Sequence, residues 1–110
     1  MVRKINCSPL GIERIHQGLI QVKVSKYKWE YKQRLIYEKY HNVKLTNNDY
    51  IIFLDQNRNN LDINNLKRIT AKESSFMINK DLFSKIPEVT ELGINVTKLK
   101  YKTEEIYEKL

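Results

Sequence analysis

The chain has 110 residues, with 20 Lys and Arg against 13 Asp and Glu and a formal net charge of +7. That length fits one domain with a modest core, and no apolar run approaches the roughly 20 residues that a membrane helix requires, which excludes a spanning helix. A single cysteine, Cys7, excludes an internal disulfide and a multi-thiolate zinc site, and with no base placed beside it reads as incidental.

Met1 to Cys7 carry charge but lead into no apolar signal core, so a cytoplasmic protein is expected. Residues 12–24 read as a hairpin: Ile12-Glu13-Arg14-Ile15, a turn at His16-Gln17-Gly18, then Leu19 to Val24 with Ile20, Val22 and Val24 alternating against Gln21 and Lys23. From Trp29 to Tyr40, Trp29, Ile36, Tyr37 and Tyr40 recur at helical spacing, with Lys32, Arg34 and Lys39 largely elsewhere, which predicts an amphipathic helix. A polar loop over 42–49 precedes a short buried strand, Tyr50 to Leu54. A second polar stretch, Asp55 to Asn60, precedes a short helix that Asp62 can cap. Lys67 to Thr70 is a returning strand and Ala71 to Asn79 a further helix.

Pro87 interrupts the next stretch. Val96, Leu99, Thr103, Ile106 and Leu110 then step by three and four, predicting a helix from about 95 to 109 with one apolar stripe. That stripe needs a surface to pack on, either the domain or a second copy, so a homodimer through the C-terminal helix is one expectation. With no repeat and no long Gly, Ser or Pro linker, the reading is a single α+β domain over 1–110. It comprises a basic N-terminal hairpin (1–28), a central region of helix and strands (29–70) and a C-terminal helical segment (71–110).

The excess charge is uneven. Residues 1–44 hold ten Lys and Arg against Glu13, Glu30 and Glu38, whereas residues 45–110 hold ten of each sign. Concentrated positive charge favours polyanions because neutralising phosphates releases condensed counterions. An AT-rich coding sequence would also raise Lys, and 15 Lys, 11 Asn and 13 Ile fit one, but codon bias does not explain the asymmetry.

Three segments in series carry a resemblance. They are Trp29-x3-Gln33-Arg34-Leu35-Ile36-Tyr37-Glu38-Lys39-Tyr40-His41, then Ile51-Ile52-Phe53-Leu54-Asp55-Gln56-Asn57, then Asn60-x4-Asn65-Leu66. Together they resemble the HNH homing endonucleases and related phage proteins. Gly11 to Arg14 and Gly18 to Val24 look like the strand pair upstream of the nuclease motif in those proteins. Leu92-Gly93-Ile94 and Thr97 to Lys100 look like their helical tail. The resemblance implies a ββα scaffold in a phage-infected bacterial host. In cutting relatives a histidine at the end of the first strand activates water, and residues on that strand and on the helix hold one divalent cation. The middle Asn ties the intervening loop.

Carried over residue by residue, Asn60 matches the middle Asn and Asn65 the helix ligand position, with Asp55 as anchor. The positions for metal ligand and general base are Ile52 and Phe53, which can neither bind a metal nor take a proton. Gln33 stands where many relatives carry a histidine, and Gln56 where Gly is usual. No cofactor is therefore expected, although Asp55, Asn57, Asn60 and Asn65 leave room for a weakly held divalent cation. His16 and His41 read as surface or helix-end residues. The sequon Asn95-Val96-Thr97 has no meaning in a cytoplasmic helix.

The leading expectation is a non-cleaving nucleic-acid-binding protein, with DNA ahead of RNA and no membrane partner. Arg14, Lys23, Lys26, Lys28, Lys32 and Arg34 would contact phosphate, Tyr27 or Trp29 would stack on a base, and core packing is the favoured role for Trp29. A second expectation is an inhibitor of a host defence nuclease or nuclease–guide RNA complex, as an anti-CRISPR protein would be. A residual metal-dependent nicking enzyme, drawing on the histidines, is the third.

Overall fold

A computed structural model describes residues 10–110, so Cys7 lies outside the described residues. The fold is α+β, with two small antiparallel sheets and three helices. The chain divides into two compact units, Met1–Lys44 and Leu45–Leu110, and each is described by itself.

In the first unit, β1 (Glu13–His16), β2 (Leu19–Ser25) and β3 (Lys28–Tyr31) form one sheet in the order β1-β2-β3, followed by α1 (Lys32–His41). His16 pairs with Leu19 across Gln17 and Gly18, both with positive φ, 54° and 80°. A two-residue turn of that conformation matches the twist of a hairpin, and glycine enters it without strain. The register of β2 on β3 shifts between Lys23 and Ser25, a bulge that leads into the Lys26-Tyr27 turn. α1 stops at Asn42, whose left-handed φ of 53° lets its N–H close on the Glu38 carbonyl.

Two expectations for this unit are corrected. Trp29 does not begin the helix. It lies in β3, opposite Lys23, and α1 starts at Lys32. Nor do Ile20, Val22 and Val24 form the buried face of β2. Gln21 and Lys23 are the buried residues, and Val24 is exposed. Local bonding accounts for Gln21, whose Oε1 accepts from Arg14 Nε at 2.8 Å, and Lys23 stands directly across the sheet from Trp29.

In the second unit, β4 (Asp49–Phe53) pairs with β5 (Leu66–Thr70) from Asp49↔Thr70 to Phe53↔Leu66. α2 (Ala71–Asn79) follows directly, completing a hairpin-then-helix arrangement over 49–79. Thr70 and Glu73 form a capping box at its start, each satisfying a backbone N–H of the other's end. α3 (Pro87–Glu108) is longer than the helix expected over 95–109, because Pro87 occupies its first turn rather than interrupting it. Proline suits that position, where no helical N–H partner is needed. Glu73 also takes the Lys98 ammonium at 3.2 Å, tying α2 to α3.

The core here is Leu54, Ile69, Met77 and Ile94, with Ile52, Leu82 and Phe83 packed against it. Phe53 is buried too. Ile52 and Phe53 thus serve packing. We predict that Phe53→Ala destabilises the protein by about 3–5 kcal/mol, the usual range for a buried aromatic. Ile52→Asp with Phe53→His is expected to lower the urea midpoint as well, and an unchanged midpoint in either protein would contradict this assignment.

Candidate nucleic-acid interface

Of the six basic residues expected to meet phosphate, the structure exposes two without reservation, Lys26 and Lys28, on either side of Tyr27 at the β2–β3 turn. Tyr27 is 86% exposed, and the Lys26 ammonium lies 5.3 Å from its ring centroid. The tip therefore presents an aromatic face between two cations.

The other four are engaged within the unit. The Arg14 guanidinium stacks 4.0 Å above the Trp29 ring while its Nε donates to Gln21. This arrangement uses the indole face internally, in keeping with packing rather than base stacking for Trp29. Lys32 pairs with Glu13 at 2.6 Å and Arg34 with Glu30 at 3.7 Å. Lys23 is only 4% exposed, and as a phosphate contact it is corrected: its burial in β2 leaves it little surface to offer. Lys39, set off the apolar face of the helix by its sequence spacing, is exposed, as is Lys44, which sequence reasoning did not single out. Lys32 and Lys39 stand seven residues apart, two helical turns, and that spacing was the available signal.

The second unit holds Asp55, Asn57, Asn60 and Asn65, polar residues that the nuclease resemblance singles out. They lie in the loop 54–65 between β4 and β5, which closes around one carboxylate. Asp55 Oδ2 accepts from Asn60 Nδ2 at 2.8 Å, and Asp55 Oδ1 accepts from Asn65 Nδ2 at 2.9 Å and from the Asn57 N–H at 2.8 Å. Asn65 also donates to the Asn60 carbonyl at 3.0 Å, and its Oδ1 accepts the Asp55 N–H at 3.1 Å. The loop-tying role assigned to Asn60 agrees with this geometry. The helix position assigned to Asn65 is corrected: it sits in a 3-10 turn (Ile63–Asn65) ahead of β5, capped by Asp62, whose side chain accepts from the Asn64 N–H at 2.9 Å. Its amide is used on both sides, leaving little to offer a metal.

Gln56 adopts a left-handed φ of 61°, which explains why glycine is usual there in the resembled family. Its side chain compensates by donating to the Phe53 carbonyl at 2.8 Å. His16 and His41 belong to the first unit, are exposed, and lie near Tyr31 and Tyr37 respectively, with ring centroids 6.5 and 4.2 Å apart. Among the described residues no group of three or more His, Cys, Asp or Glu is placed to hold a metal ion. No helix among them is long and apolar enough to cross a membrane. Gln33 is buried on α1, and its Oε1 meets no hydrogen-bond donor among the described residues.

The Asn60 amide, helped by the Asn57 N–H and the Asn65 amide, holds the Asp55 carboxyl below its ordinary value against the opposing effect of desolvation. A carboxylate whose folded pKa is depressed stabilises the fold fully above the unfolded value, about 3.9, and loses that contribution as pH falls through the folded value. We predict that acid unfolding below about pH 4 is blunted in Asp55→Asn, which is also less stable at neutral pH. A pH series of thermal melts showing parallel curves for the two proteins would remove Asp55 from this role.

Compared with protein-family models, with curated proteins and with solved structures, the chain matches none.

Proposed function

We propose that this chain is a nucleic-acid-binding protein that does not cleave its target, with the first unit laid against phosphate and DNA the first target to test. The observation that carries the reading is the exposed Lys26-Tyr27-Lys28 tip on the unit to which the whole excess charge is confined. The charge boundary and the boundary between the compact units coincide at Lys44. Cations flanking an exposed aromatic ring suit a nucleic acid, since the lysines neutralise phosphates while the ring stacks on a base in a sequence-tolerant way.

The absence of cleavage is proposed on separate grounds. The resemblance to HNH proteins supplies a scaffold, but Ile52 and Phe53 fill the base and ligand positions with core side chains. Both oxygens of Asp55 already accept from asparagine amides, so a cation would have to displace them.

Binding of labelled duplex and single-stranded DNA across a salt series tests the proposal. Log affinity is expected to fall linearly with log salt, and removal of each phosphate contact should flatten the slope by about 0.9 on a duplex or 0.7 on a single strand. Lys26→Ala with Lys28→Ala should flatten it most. Lys32→Ala and Arg34→Ala should do less, because each residue already has a carboxylate partner. Tyr27→Ala should weaken single-strand binding by about 1–3 kcal/mol per stacked base. Lys98→Ala with Lys100→Ala should change little, since Glu73 and Glu104 pair with those residues. Plasmid incubated with magnesium or manganese should stay uncut. Salt-independent binding, or a dominant effect of the Lys98 and Lys100 pair, would overturn the phosphate-facing reading. Capture of a host nuclease without nucleic acid would replace it with the inhibitor reading.

A further inference from the structure

α3 is packed the wrong way round for a helix that serves only its own unit. The side chains it buries are Thr90, Gly93, Ile94 and Thr97, mostly small, whereas its large aliphatic residues face outward. Val89, Leu92, Val96, Leu99 and Ile106 are 47% to 66% exposed, Thr103 is exposed between them, and Leu110 beyond the helix end is 93% exposed. These seven positions step by three and four without a break along the whole helix. The spacing averages 3.5 residues, the period at which a straight helix drifts and two helices supercoil left-handedly to keep one seam in contact. A contiguous apolar face of this kind marks an interaction surface.

We infer that α3 pairs with α3 of a second copy of this chain as a parallel two-stranded coiled coil, with Val89, Val96 and Thr103 at the a positions and Leu92, Leu99 and Ile106 at the d positions. One feature selects this occupant and this orientation, and the flanking charges permit it. Within the helix every a residue is β-branched and two of the three d residues are leucine, the combination that favours parallel dimers over higher oligomers. The flanking charges agree. A parallel pair sets each g residue against the following e residue of its partner, giving Glu88 with Gly93, Asn95 with Lys100 and Lys102 with Tyr107, and no pair carries like charges. An antiparallel pair sets e against e and g against g, and which residues meet then depends on its register. Lys100 is in addition held back toward its own unit by Glu104 and by the Phe76 and Tyr101 rings, 5.1 and 4.4 Å from its ammonium.

The N-terminal half of the seam has a recess to match. Gly93 at an e position admits Leu82 and Phe83, and these with Val89, Leu92 and Val96 line a groove of about 230 Å³ that can take side chains of the partner. Pairing through α3 is independent of the nucleic-acid reading, since none of these residues belongs to the basic unit.

Sedimentation equilibrium of the full chain over micromolar concentrations reads the assembly directly. The expected mass is that of two chains, shifting to one chain in Leu99→Lys with an unchanged far-ultraviolet circular dichroism spectrum. Should that variant unfold, Ile106→Glu, a charge at another exposed d position, serves as the second seam variant and Tyr27→Ala as an unaffected control. Orientation is read in Val96→Cys on a Cys7→Ser background: oxidation should link the two equivalent cysteines, because parallel a positions lie within the roughly 4.4–6.8 Å Cα separation that a disulfide spans. A single-chain mass at every concentration overturns the inference, as does a dimer that survives both seam variants. A dimer that fails to cross-link at position 96 overturns the parallel arrangement.

Discussion

One buried-edge carboxylate organises the second unit. Asp55 stands at the point where the chain leaves β4, and the donors it collects come from both limbs of the loop, Asn57 and Asn60 on the way out and Asn65 on the return. Closing the loop on this acceptor sets Leu66 beside Phe53 and thereby the whole register of β4 on β5. That register carries Leu54 and Ile69 into the core with Met77 and Ile94. All three of its side-chain and loop donors are neutral, so the carboxylate keeps its charge while its hydrogen-bonding capacity is largely spent. In the HNH nucleases that the sequence resembles, the corresponding strand positions would hold a base and a metal ligand. Here they hold side chains that extend the same core.

The first unit is stabilised differently. Among its described residues the buried ones are Gln21, Lys23 and Gln33, and its aromatic and aliphatic side chains are no more than half-buried. Order comes from three hydrogen-bonded strands and from Arg14, which bridges the Trp29 ring and the Gln21 amide. The basic residues consequently divide into two groups. Arg14, Lys32 and Arg34 have partners within the unit, whereas Lys26, Lys28, Lys39 and Lys44 stand at the surface. Net charge counted from sequence treats these groups as equal, although binding through the first would disturb contacts already made within the unit.

What could be read in advance followed from signals complete within a few residues. Thr70 and Glu73 form a capping box three residues apart, so α2 was legible from Ala71 to Asn79. Asp62 as a cap and Gly18 in a turn were equally local. The misreadings arose where distant residues decide. Trp29 continues a helical spacing in sequence but is held in β3 by cross-strand neighbours on β2. The alternation along β2 defines two faces without saying which is covered, and Arg14 from β1 makes it the polar one. Pro87 reads as a break unless the chain before it is known to be non-helical. For the candidate site, Arg34 with Glu30 was visible at a spacing of four, whereas Lys32 with Glu13 spans 19 residues and was not. The asparagines were visible as a set, but the engagement of Asn65 on both faces of its amide was not.

Gly93 has a consequence for how this sequence can change. A methyl group added there would meet Leu82 Cβ at 2.9 Å and the Leu82 carbonyl oxygen at 3.0 Å, so the chain around residue 82 lies directly against the helix backbone. Glycine inside a helix is about 1 kcal/mol less favourable than alanine, and local preference therefore pushes this position toward the very residue that the neighbouring segment forbids. Substitution at 93 becomes permissible only after the backbone at 82 has moved, not merely after its side chain has shortened. In a set of diverging sequences the two sites would then covary through main-chain path, with insertions or deletions between 80 and 86 accompanying the loss of the glycine.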